Sequence, residues 1–501
     1  MTINKVFSIS NLVLILSLFL ILGLFGCNTA QLTDYTTSIV APEPNTPATG
    51  NTYYVSTSGN DSTGNGSLAN PWASPGYASR QLQAGDTLII RAGNYVIDTY
   101  DEDILTPPSG TASNWIIIKG EDGTMPTLAG GGNILCQINI SNANYLKIEN
   151  LEITNNNDNT RDGINGVYTS GNGTINQIIL KNIYIHHIDM YGVDIRDIDG
   201  LYITNCRIEY CGFGAVGGPA ANQGGWQNVV LRDGTLSYSG RYYQGIADNP
   251  NNPYARPDGF GIEPGLGPVE IFNITAEGNN GDGIDTKTPS THIHNCYVIG
   301  NRCDGVKLWG DKSKVENTLI SGFALNRDMS PSGYWSGITI GHPQKQNAEF
   351  EINNVTVYDH PSRNNYSVYF QYPDDDPTSL YPITVTMRNC IIANGGGSVY
   401  AGDVVTLNAD HNLFYRNSGT DVQVYANRRN YSSAQIGELG TGNLSADPKF
   451  VAPVWGARSD YSLQAASPAL DAGSSSGVPA LDINWKTRPQ GAAFDIGAFE
   501  K

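Results

Sequence analysis

Four aspartates and a lysine in the middle of the chain have types and spacings that could form one chemical site. Three short phrases place an apolar residue after Asp-Gly, and they begin at Asp258, Asp282 and Asp304. The second and third phrases continue to Asp285 and Lys307. If each phrase occupies one rung of a repeat, equivalent residues are stacked roughly 4.8 Å apart. A single Asp-Gly pair is an ordinary turn. Carboxylates on adjacent rungs, however, repel one another and attract a cation, so the set as a whole predicts a site.

The elements that must position these residues are short repeated strands. Asparagine followed by alternating apolar residues recurs at intervals of 22 to 45 residues, with looser copies later. Each unit is too short to bury a core alone, so consecutive units must stack as coils. The sequence predicts an all-β fold, a parallel β-helix in which asparagine amides bond from coil to coil. The repeated positions are Asn150, Asn182, Asn205, Asn228, Asn273, Asn295, Asn317, Asn354 and Asn389.

The two ends and the long loops complete the predicted architecture. Residues 51–501 are interpreted as a single β-helix that begins with a capping module and ends with a capping segment at residues 467–500. Long loops at 238–257 and 326–335 flank the acidic coils. Such loops gather on the binding face of a solenoid, where Tyr254 and Arg256 would suit sugar rings that carry carboxylates. Alternatively, their tyrosines and prolines only hold the loops down.

The N-terminus is predicted to be a targeting segment. Lys5 precedes an apolar run that ends in Leu-Phe-Gly-Cys at Cys27, a phrase that resembles the bacterial lipobox. Residues 1–27 are therefore a lipoprotein signal peptide, with Cys27 lipidated, and residues 28–50 are a tether. Asn28 after the cysteine favours an outer-membrane or cell-surface destination in the bacterial envelope. An ordinary signal peptide or an uncleaved anchor is the alternative.

Composition excludes some partners. The formal net charge is −18 and no basic stripe is present, which argues against nucleic acid. We expect a monomer that touches the membrane only through its N-terminal lipid. No CxxC pair exists, which argues against a zinc site, while a Cys206–Cys211 disulfide stays open. The histidines in or beside the predicted strands are interpreted as structural: His186, His187, His292 and His294.

The acidic phrases resemble the active coils of the family nine polysaccharide lyases, a pectate lyase group built on a right-handed parallel β-helix. The residues that carry the resemblance are Asp258-Gly259-Phe260, Asp282-Gly283-Ile284-Asp285 and Asp304-Gly305-Val306-Lys307-Leu308. It covers about the middle third of the chain. The resemblance implies Ca²⁺ bound by Asp258, Asp282 and Asp285, with Lys307 as the base. Two features depart from the family: Gly281 replaces an aspartate ligand, which Asp304 or Glu263 would have to supply, and Lys307 follows after only one coil.

The implied reaction is β-elimination on an acidic polysaccharide such as pectate. Removing a proton α to a uronate carboxylate adds charge to an anionic group, which a bound Ca²⁺ neutralises. Lys307 is an effective base only if its pKa falls from roughly 10.4, so a metal-free site should hold it protonated. Lys287, in a column with Glu263 and Trp309, would contact a substrate carboxylate or simply pair with the glutamate.

Three other functions fit the same sequence. A β-helix glycoside hydrolase would use Asp282, Asp285 and Asp304 as acid and base, without Ca²⁺ and with saturated products. A non-catalytic surface lipoprotein would bind glycans through exposed Tyr and Asn faces. A C5 epimerase would return the abstracted proton, and no second acid/base pair supports it clearly.

Overall fold

The computed structural model describes residues 40–99, 102–132, 134–156, 165–169, 173–218, 224–326, 328–333, 335–341, 345–371, 381–416 and 422–501. The predicted signal peptide with Cys27, and the tether up to residue 39, lie outside the described residues. Residues 39–501 form one compact unit. Within the described ranges, no helix is long and apolar enough to cross a membrane.

The local reason for the coils is visible in the strand at Leu146–Asn155. Leu146 and Ile148 are buried and alternate with partly exposed residues, as expected for a strand with one face inward. Asn150 then adopts a left-handed φ of 58°, which asparagine tolerates better than most residues. The bend shifts the alternation by one position, so Leu151 and Ile153 point inward on the next side of the coil. The repeated phrase therefore encodes strand, corner and strand.

The first coils run from the N-terminal module to the middle of the chain. One short helix, α1, covers the first turns, and its N-cap is Ser74, whose side chain accepts a hydrogen bond from the Tyr77 N–H. The elements are β1 (Thr52–Val55), α1 (Pro75–Ser79), β2 (Thr87–Ile90), β3 (Asn94–Ile97), β4 (Ile116–Gly120), β5 (Thr127–Gly130), β6 (Cys136–Asn139), β7 (Leu146–Asn155), β8 (Asn165–Tyr168), β9 (Ile175–Ile188), β10 (Tyr191–Asp194), β11 (Ile198–Thr204), β12 (Arg207–Cys211), β13 (Gly214–Gly218) and β14 (Trp226–Ser237).

The middle coils carry the acidic phrases. Most of their strands hold three to five residues, although two strands of two residues pair as a hairpin in the loop at 238–257 and one of nine residues includes the corner at Asn273. They are β15 (Tyr242–Tyr243), β16 (Ile246–Ala247), β17 (Asp258–Ile262), β18 (Val269–Glu277), β19 (Ile284–Thr286), β20 (Thr291–His294), β21 (Tyr297–Ile299), β22 (Val306–Leu308), β23 (Ser313–Glu316), β24 (Leu319–Ser321) and β25 (Ile338–Ile340).

The last coils lead into a C-terminal segment with little regular structure. Their elements are β26 (Ala348–Asn353), β27 (Thr356–Tyr358), β28 (Tyr366–Phe370), β29 (Ile383–Arg388), β30 (Ile391–Ala393), β31 (Gly397–Ala401), β32 (Val405–Asp410), β33 (Leu413–Tyr415), β34 (Val424–Ala426), β35 (Arg429–Tyr431), a 3-10 helix (Ser433–Glu438), β36 (Leu444–Ser445), β37 (Phe450–Ala452) and β38 (Asp460–Leu463).

Two sheets run the length of the molecule. A 22-stranded sheet contains most of the strands, and a 12-stranded sheet stacks from β6 to β35. Successive coils pair in parallel, for example β17 with β19 and β19 with β22. Aliphatic and aromatic side chains from equivalent positions fill the interior. The all-β parallel β-helix predicted from the repeats is thereby confirmed, with Phe260, Ile284, Val306 and Ile338 stacked in the core.

The asparagine ladder is present but its predicted register is wrong at one coil. Asn182 Nδ2 donates to Asn150 Oδ1 at 2.7 Å, and Asn205 Nδ2 donates to Asn182 Oδ1 at 3.2 Å. The next rung is Asp233 instead of Asn228, and Asn273 Nδ2 donates to Asp233 Oδ1 at 2.7 Å. Asn228 lies at a different corner, because the neighbouring Val229 pairs with Leu201. Both residue types adopt left-handed φ, so the motif alone does not fix the corner.

The C-terminal segment packs along the flank of the middle and last coils. The ladder amides of Asn295 and Asn317 donate to the carbonyls of Asp482 and Leu481, at 3.0 Å and 2.6 Å. Its aromatic and aliphatic side chains form a second core with residues of the coils, including Tyr297 and Leu319. The six cysteines in the described part of the chain are unpaired and buried, so the Cys206–Cys211 disulfide does not form.

Candidate active site

A column of three aspartates forms the back of the site. The main-chain N–H of Asp282 donates to Asp258 Oδ1 at 2.6 Å, and that of Asp304 donates to Asp282 Oδ1 at 2.8 Å. The N–H of Ser336 continues the series to Asp304 Oδ1 at 2.7 Å. The stacking predicted for this column is confirmed. One oxygen of each aspartate holds the next coil in place, which leaves the second oxygen for other partners.

A second column brings a carboxylate and an amine beside the first. Gly261, Asp285 and Lys307 are aligned on β17, β19 and β22, as the spacing predicted. Lys307 Nζ lies 3.0 Å from Asp285 Oδ2 and 3.3 Å from Asp282 Oδ2. The ammonium therefore bridges the two columns.

Three carboxylates converge on one point. Among the described residues, donor oxygens of Asp258, Asp282 and Asp285 lie within 4.8 Å of one another. Asp304 is not in this group, and its Oδ1 also accepts a hydrogen bond from Thr339 Oγ1 at 2.8 Å. Asp285 Oδ1 is buried and has no hydrogen-bond partner in the described part of the chain. The ligand role assigned to Asp304 stays a prediction.

Gly281 has a steric explanation. A Cβ at this position would lie 2.2 Å from Asp258 Oδ1 and 2.4 Å from the carbonyl oxygen of Arg256. Distances this short exclude any side chain without movement of the backbone. Glu263, the other residue considered as a replacement ligand, forms an ion pair with Lys287 at 2.9 Å instead of joining the three aspartates. No side chain can therefore take the place of the aspartate found in the resembling family without rearrangement.

The electrostatics of the group favour a cation. Burial raises the pKa of Asp258 well above its ordinary value, and the carboxylates of Asp282 and Asp285 add to the rise. Burial also raises the pKa of Asp282, against the opposing effect of Lys307. For Lys307, burial alone would lower the pKa, but the aspartates outweigh it and raise the pKa above that of ordinary lysine. Without a metal the site thus holds the amine as ammonium.

The donor set fits Ca²⁺. Its ligand atoms are all carboxylate oxygens, the hard donors that this ion prefers, and one of them has no other partner among the described residues. Gly261 keeps space open beside them, since a Cβ there would lie 2.9 Å from Asp258 Oδ2. Asp258, Asp282 and Asp285 would hold the ion. Lys307 contacts Oδ2 of Asp282 and Oδ2 of Asp285, so metal and ammonium would compete for these two carboxylates.

A third column lies at the edge of the site. The main-chain N–H groups of Lys287 and Trp309 bond to the preceding coils, which aligns Glu263, Lys287 and Trp309. Lys287 Nζ also lies 3.5 Å from Asp285 Oδ2 and 5.3 Å from the centre of the Trp309 ring. Lys307 Nζ lies 5.6 Å from the same ring. Trp309 therefore borders both amines.

The loops predicted to flank the acidic coils line a cavity of about 670 Å³. Tyr254 and Arg256 both line it, and the Arg256 guanidinium lies 4.8 Å from the centre of the Trp335 ring. Arg241, which belongs to the predicted loop at 238–257, also lines it, as does Arg302, which was missed from the sequence. Arg302 stands two residues before Asp304, as Arg256 stands two before Asp258, so the coil spacing could have identified it.

The outward column of the site continues into aromatic residues on the following coils. Lys307 pairs with Thr339, then Tyr369, Tyr400 and Tyr425 follow in register. The ring centres of Tyr369 and Tyr400 are 4.7 Å apart, and those of Tyr400 and Tyr425 are 5.2 Å apart. These tyrosines were not predicted, although their spacing repeats that of the coils.

A known protein family matches the part of the chain that contains the site. The family described as "Pel9A-like, right handed beta helix region" matches residues 53–326, more than half of the chain. That range contains all three columns of the site, from Asp258 to Trp309. No curated protein sequence matches.

Solved structures resemble the chain at low sequence identity. The complex structure of XylC with xylose has 11% identity and a TM-score of 0.53, and the alignment covers 90% of this chain and 99% of that one. The crystal structure of pectate lyase Pel9A has 15% identity and a TM-score of 0.43, covering 91% and 97%. The A-module of the Azotobacter vinelandii mannuronan C-5 epimerase AlgE4 has 14% identity and a TM-score of 0.46, covering 74% and 91%. At these identities the likeness concerns the fold.

Proposed function

The chain belongs to the Pel9A-like right-handed β-helix family, and on this premise we propose that it is a lyase acting on a uronate-containing polysaccharide. The observation that carries the proposal is the position of Lys307. Its amine lies within 3.3 Å of two of the three clustered carboxylates, beside an arginine-lined cavity. An amine held against a cation site is the arrangement needed to remove a weakly acidic proton.

Lys307 is the base in the proposed reaction. Its neutral amine takes the proton from the carbon α to the uronate carboxylate. The electron pair of that C–H bond forms a double bond to the neighbouring carbon, whose bond to the glycosidic oxygen breaks. The oxygen leaves with the bonding electrons and is protonated from solvent. The products are a new reducing end and an unsaturated uronate at the other end.

Asp258, Asp282 and Asp285 would hold the Ca²⁺ of the proposed mechanism. Bound there, Ca²⁺ supplies charge neutralisation for the uronate carboxylate and for the carbanion-like state that follows proton removal. Two of these aspartates, Asp285 and Asp282, also fix the position of Lys307 through contacts of 3.0 Å and 3.3 Å. Once their charge is neutralised, the effect that raises the pKa of Lys307 weakens, and more of the amine is free to act as base.

Cationic side chains near the site would attract the anionic substrate, although the protein as a whole is negatively charged. At −18 the chain as a whole repels a polyanion, so cationic side chains at the site must bind it. Arg241, Arg256 and Arg302 line the cavity, and guanidinium groups bind carboxylates through paired hydrogen bonds. Tyr254 and Trp335 supply apolar surface for a sugar ring. We assign Lys287 and Trp309 to a neighbouring sugar unit.

The proposed setting is the bacterial envelope. A lipid on Cys27 and the tether that follows would hold the β-helix at an outer membrane or cell surface, where polysaccharide is accessible. The protein would act there as a monomer.

A panel of uronate polysaccharides, with and without Ca²⁺, tests the proposal. We expect ultraviolet absorbance from unsaturated product ends with at least one polymer, dependent on Ca²⁺ and lost in Lys307→Ala. Lys287→Ala is the comparison variant: its amine lies 3.5 Å from the same Asp285 but is assigned to a neighbouring sugar unit, so elimination should persist with a raised KM. Saturated reducing ends without Ca²⁺ would support the hydrolase, and binding without cleavage would support the glycan-binding lipoprotein. Near-parental activity of Lys307→Ala would refute the mechanism.

A further inference from the structure

A second cluster of potential metal ligands lies on the 22-stranded sheet, away from the acidic columns of the 12-stranded sheet. Glu270 on β18 pairs in register with His292 on β20, and two positions further along Phe272 pairs with His294. Glu316 on β23 pairs with His294 from the other side. All four ionisable side chains are buried on the outer face of the sheet. Two imidazoles and two carboxylates thus share a small area on three consecutive coils.

The donor atoms of this cluster converge. One ring nitrogen from each histidine and one carboxylate oxygen of Glu270 lie within 4.8 Å of one another. His294 Nε2 is 3.0 Å from Glu270 Oε1, and His292 Nε2 is 2.8 Å from Glu316 Oε2. His292 Nδ1 is buried without a hydrogen-bond partner among the described residues. A polar atom without a partner in a buried site indicates a missing ligand or ion.

The ring of His294 is held in one orientation. It is stacked between His292 and Phe272, with ring centres 4.2 Å and 4.4 Å away, and Trp485 packs edge-on against Phe272. Its Nδ1 lies 3.3 Å from Asn295 Oδ1, which accepts a hydrogen bond. With the proton on Nδ1, the lone pair of Nε2 faces the carboxylate of Glu270. A cation between Nε2 and Glu270 Oε1, which are 3.0 Å apart, would satisfy both atoms.

We propose that Glu270, His292 and His294 bind a borderline divalent metal ion, of which Zn²⁺ is the best fit. Zn²⁺ takes imidazole nitrogen and carboxylate oxygen at about 2.0–2.2 Å, which places tetrahedral ligands about 3.3 Å apart. The 3.0 Å separation of His294 Nε2 and Glu270 Oε1 fits this geometry. Ca²⁺ prefers oxygen ligands, so the ion at the aspartate cluster does not compete for this site.

The metal would join neighbouring coils beside the C-terminal segment. Glu270 and the two histidines come from consecutive coils, and Asn295, next to His294, donates to the carbonyl of Asp482 at 3.0 Å. Trp485 packs in the same place. A bound ion would therefore stabilise both the coil stack and the docking of this segment. The site is independent of the proposed lyase reaction.

Calorimetric titration of the purified protein with Zn²⁺, combined with metal analysis after dialysis, tests the site. We expect one Zn²⁺ per chain and a higher unfolding temperature with Zn²⁺ than with chelator. His294→Gln keeps a hydrogen bond to Glu270 but removes a ligand, and should weaken binding by roughly tenfold or more. Glu270→Gln is a second variant of near-identical shape, should His294→Gln fail to fold.

Two control variants locate the ion. Asp285→Asn removes a carboxylate from the acidic cluster and should leave Zn²⁺ affinity unchanged. His411→Gln alters a histidine that pairs with Asp410 on later strands and should also leave it unchanged. No binding by the parent protein, or equal binding by the parent and His294→Gln or Glu270→Gln, would overturn the proposal. The hydrogen-bonded pairs would then be purely structural.

Discussion

Replacing Lys307 with methionine should destabilise the metal-free protein far more than replacing Lys287. Methionine keeps the unbranched apolar stem but removes the ammonium that lies 3.0 Å from Asp285 and 3.3 Å from Asp282. Side-chain exposure is 21% for Lys307, and 7% and 8% for the two aspartates, so the ion pairs are largely buried. Removing one partner of a buried pair typically costs about 3–5 kcal/mol. Because burial also raises the pKa of Asp282, we expect the loss to fall in the lower part of that range.

The matched control is Lys287→Met. Lys287 pairs mainly with Glu263, which is 42% exposed, and an exposed ion pair contributes about 0–1 kcal/mol. The difference between the two variants should therefore be roughly 2 kcal/mol or more. Urea unfolding in the presence of chelator measures it, as a shift of the midpoint at constant m-value.

Adding Ca²⁺ should reduce the difference in stability between the two variants. A ligand at 100 times its Kd stabilises the folded state by about 2.7 kcal/mol. The gain should be larger in Lys307→Met than in the parent protein, because no ammonium competes for Asp282 and Asp285. Equal destabilisation by the two lysine variants, or no recovery with Ca²⁺, would refute the assignment of the aspartates and Lys307 to one electrostatic unit.

Three further predictions follow from the same structure. Arg302→Ala should raise KM for the cleaved polymer about tenfold with little change in kcat, because the cavity binds substrate without taking part in proton transfer; a fall in kcat alone would contradict this. Burial raises the pKa of Asp194 to about 6. The folded state therefore binds the proton more tightly than the unfolded state, and this contribution to the free energy of unfolding is complete below about pH 4. About 3 kcal/mol of it is lost as the pH rises through about 6. Asp194→Asn should flatten that decline in urea midpoints, and an unchanged decline would count against it. Cys27→Ser should release the protein from membranes and prevent incorporation of labelled fatty acid, whereas equal partitioning of parent and variant would refute the lipobox.

The stacking of the acidic columns could be predicted because their coils have nearly constant length. Asp258, Asp282 and Asp304 begin phrases of the same Asp-Gly-apolar form 24 and 22 residues apart, so residue spacing translates directly into register. The same reasoning failed at Asn228, where the coil is longer and Asp233 takes the ladder position. Asparagine and aspartate both tolerate the left-handed corner, so residue type could not resolve the ambiguity.

Contacts between distant parts of the chain could not be predicted. Asn295 bonds to a carbonyl 187 residues away, and the C-terminal segment shares a core with coils from the middle of the sequence. The histidine cluster was interpreted as structural because its glutamate partners lie on other coils, 24 residues away in each case. The spacing of the coils predicts which residues stack on one another. Whether their side chains meet at one point depends on the direction that each side chain takes at its corner, which the spacing does not predict.

The absence of a side chain at Gly281 limits the number of carboxylates for which Lys307 and a metal would compete. Asp258, Asp282 and Asp285 offer three carboxylates, and Lys307 is the cation that lies against two of them. A fourth aspartate at position 281 would add another charge, but its Cβ would meet Asp258 Oδ1 at 2.2 Å. The close approach of the Arg256 carbonyl to Gly281 thus restricts the site to three carboxylates. Three carboxylates hold the Lys307 ammonium less strongly than four would. Binding of a cation would therefore release Lys307 from its ion pairs more easily, and that release is the condition for it to act as a base.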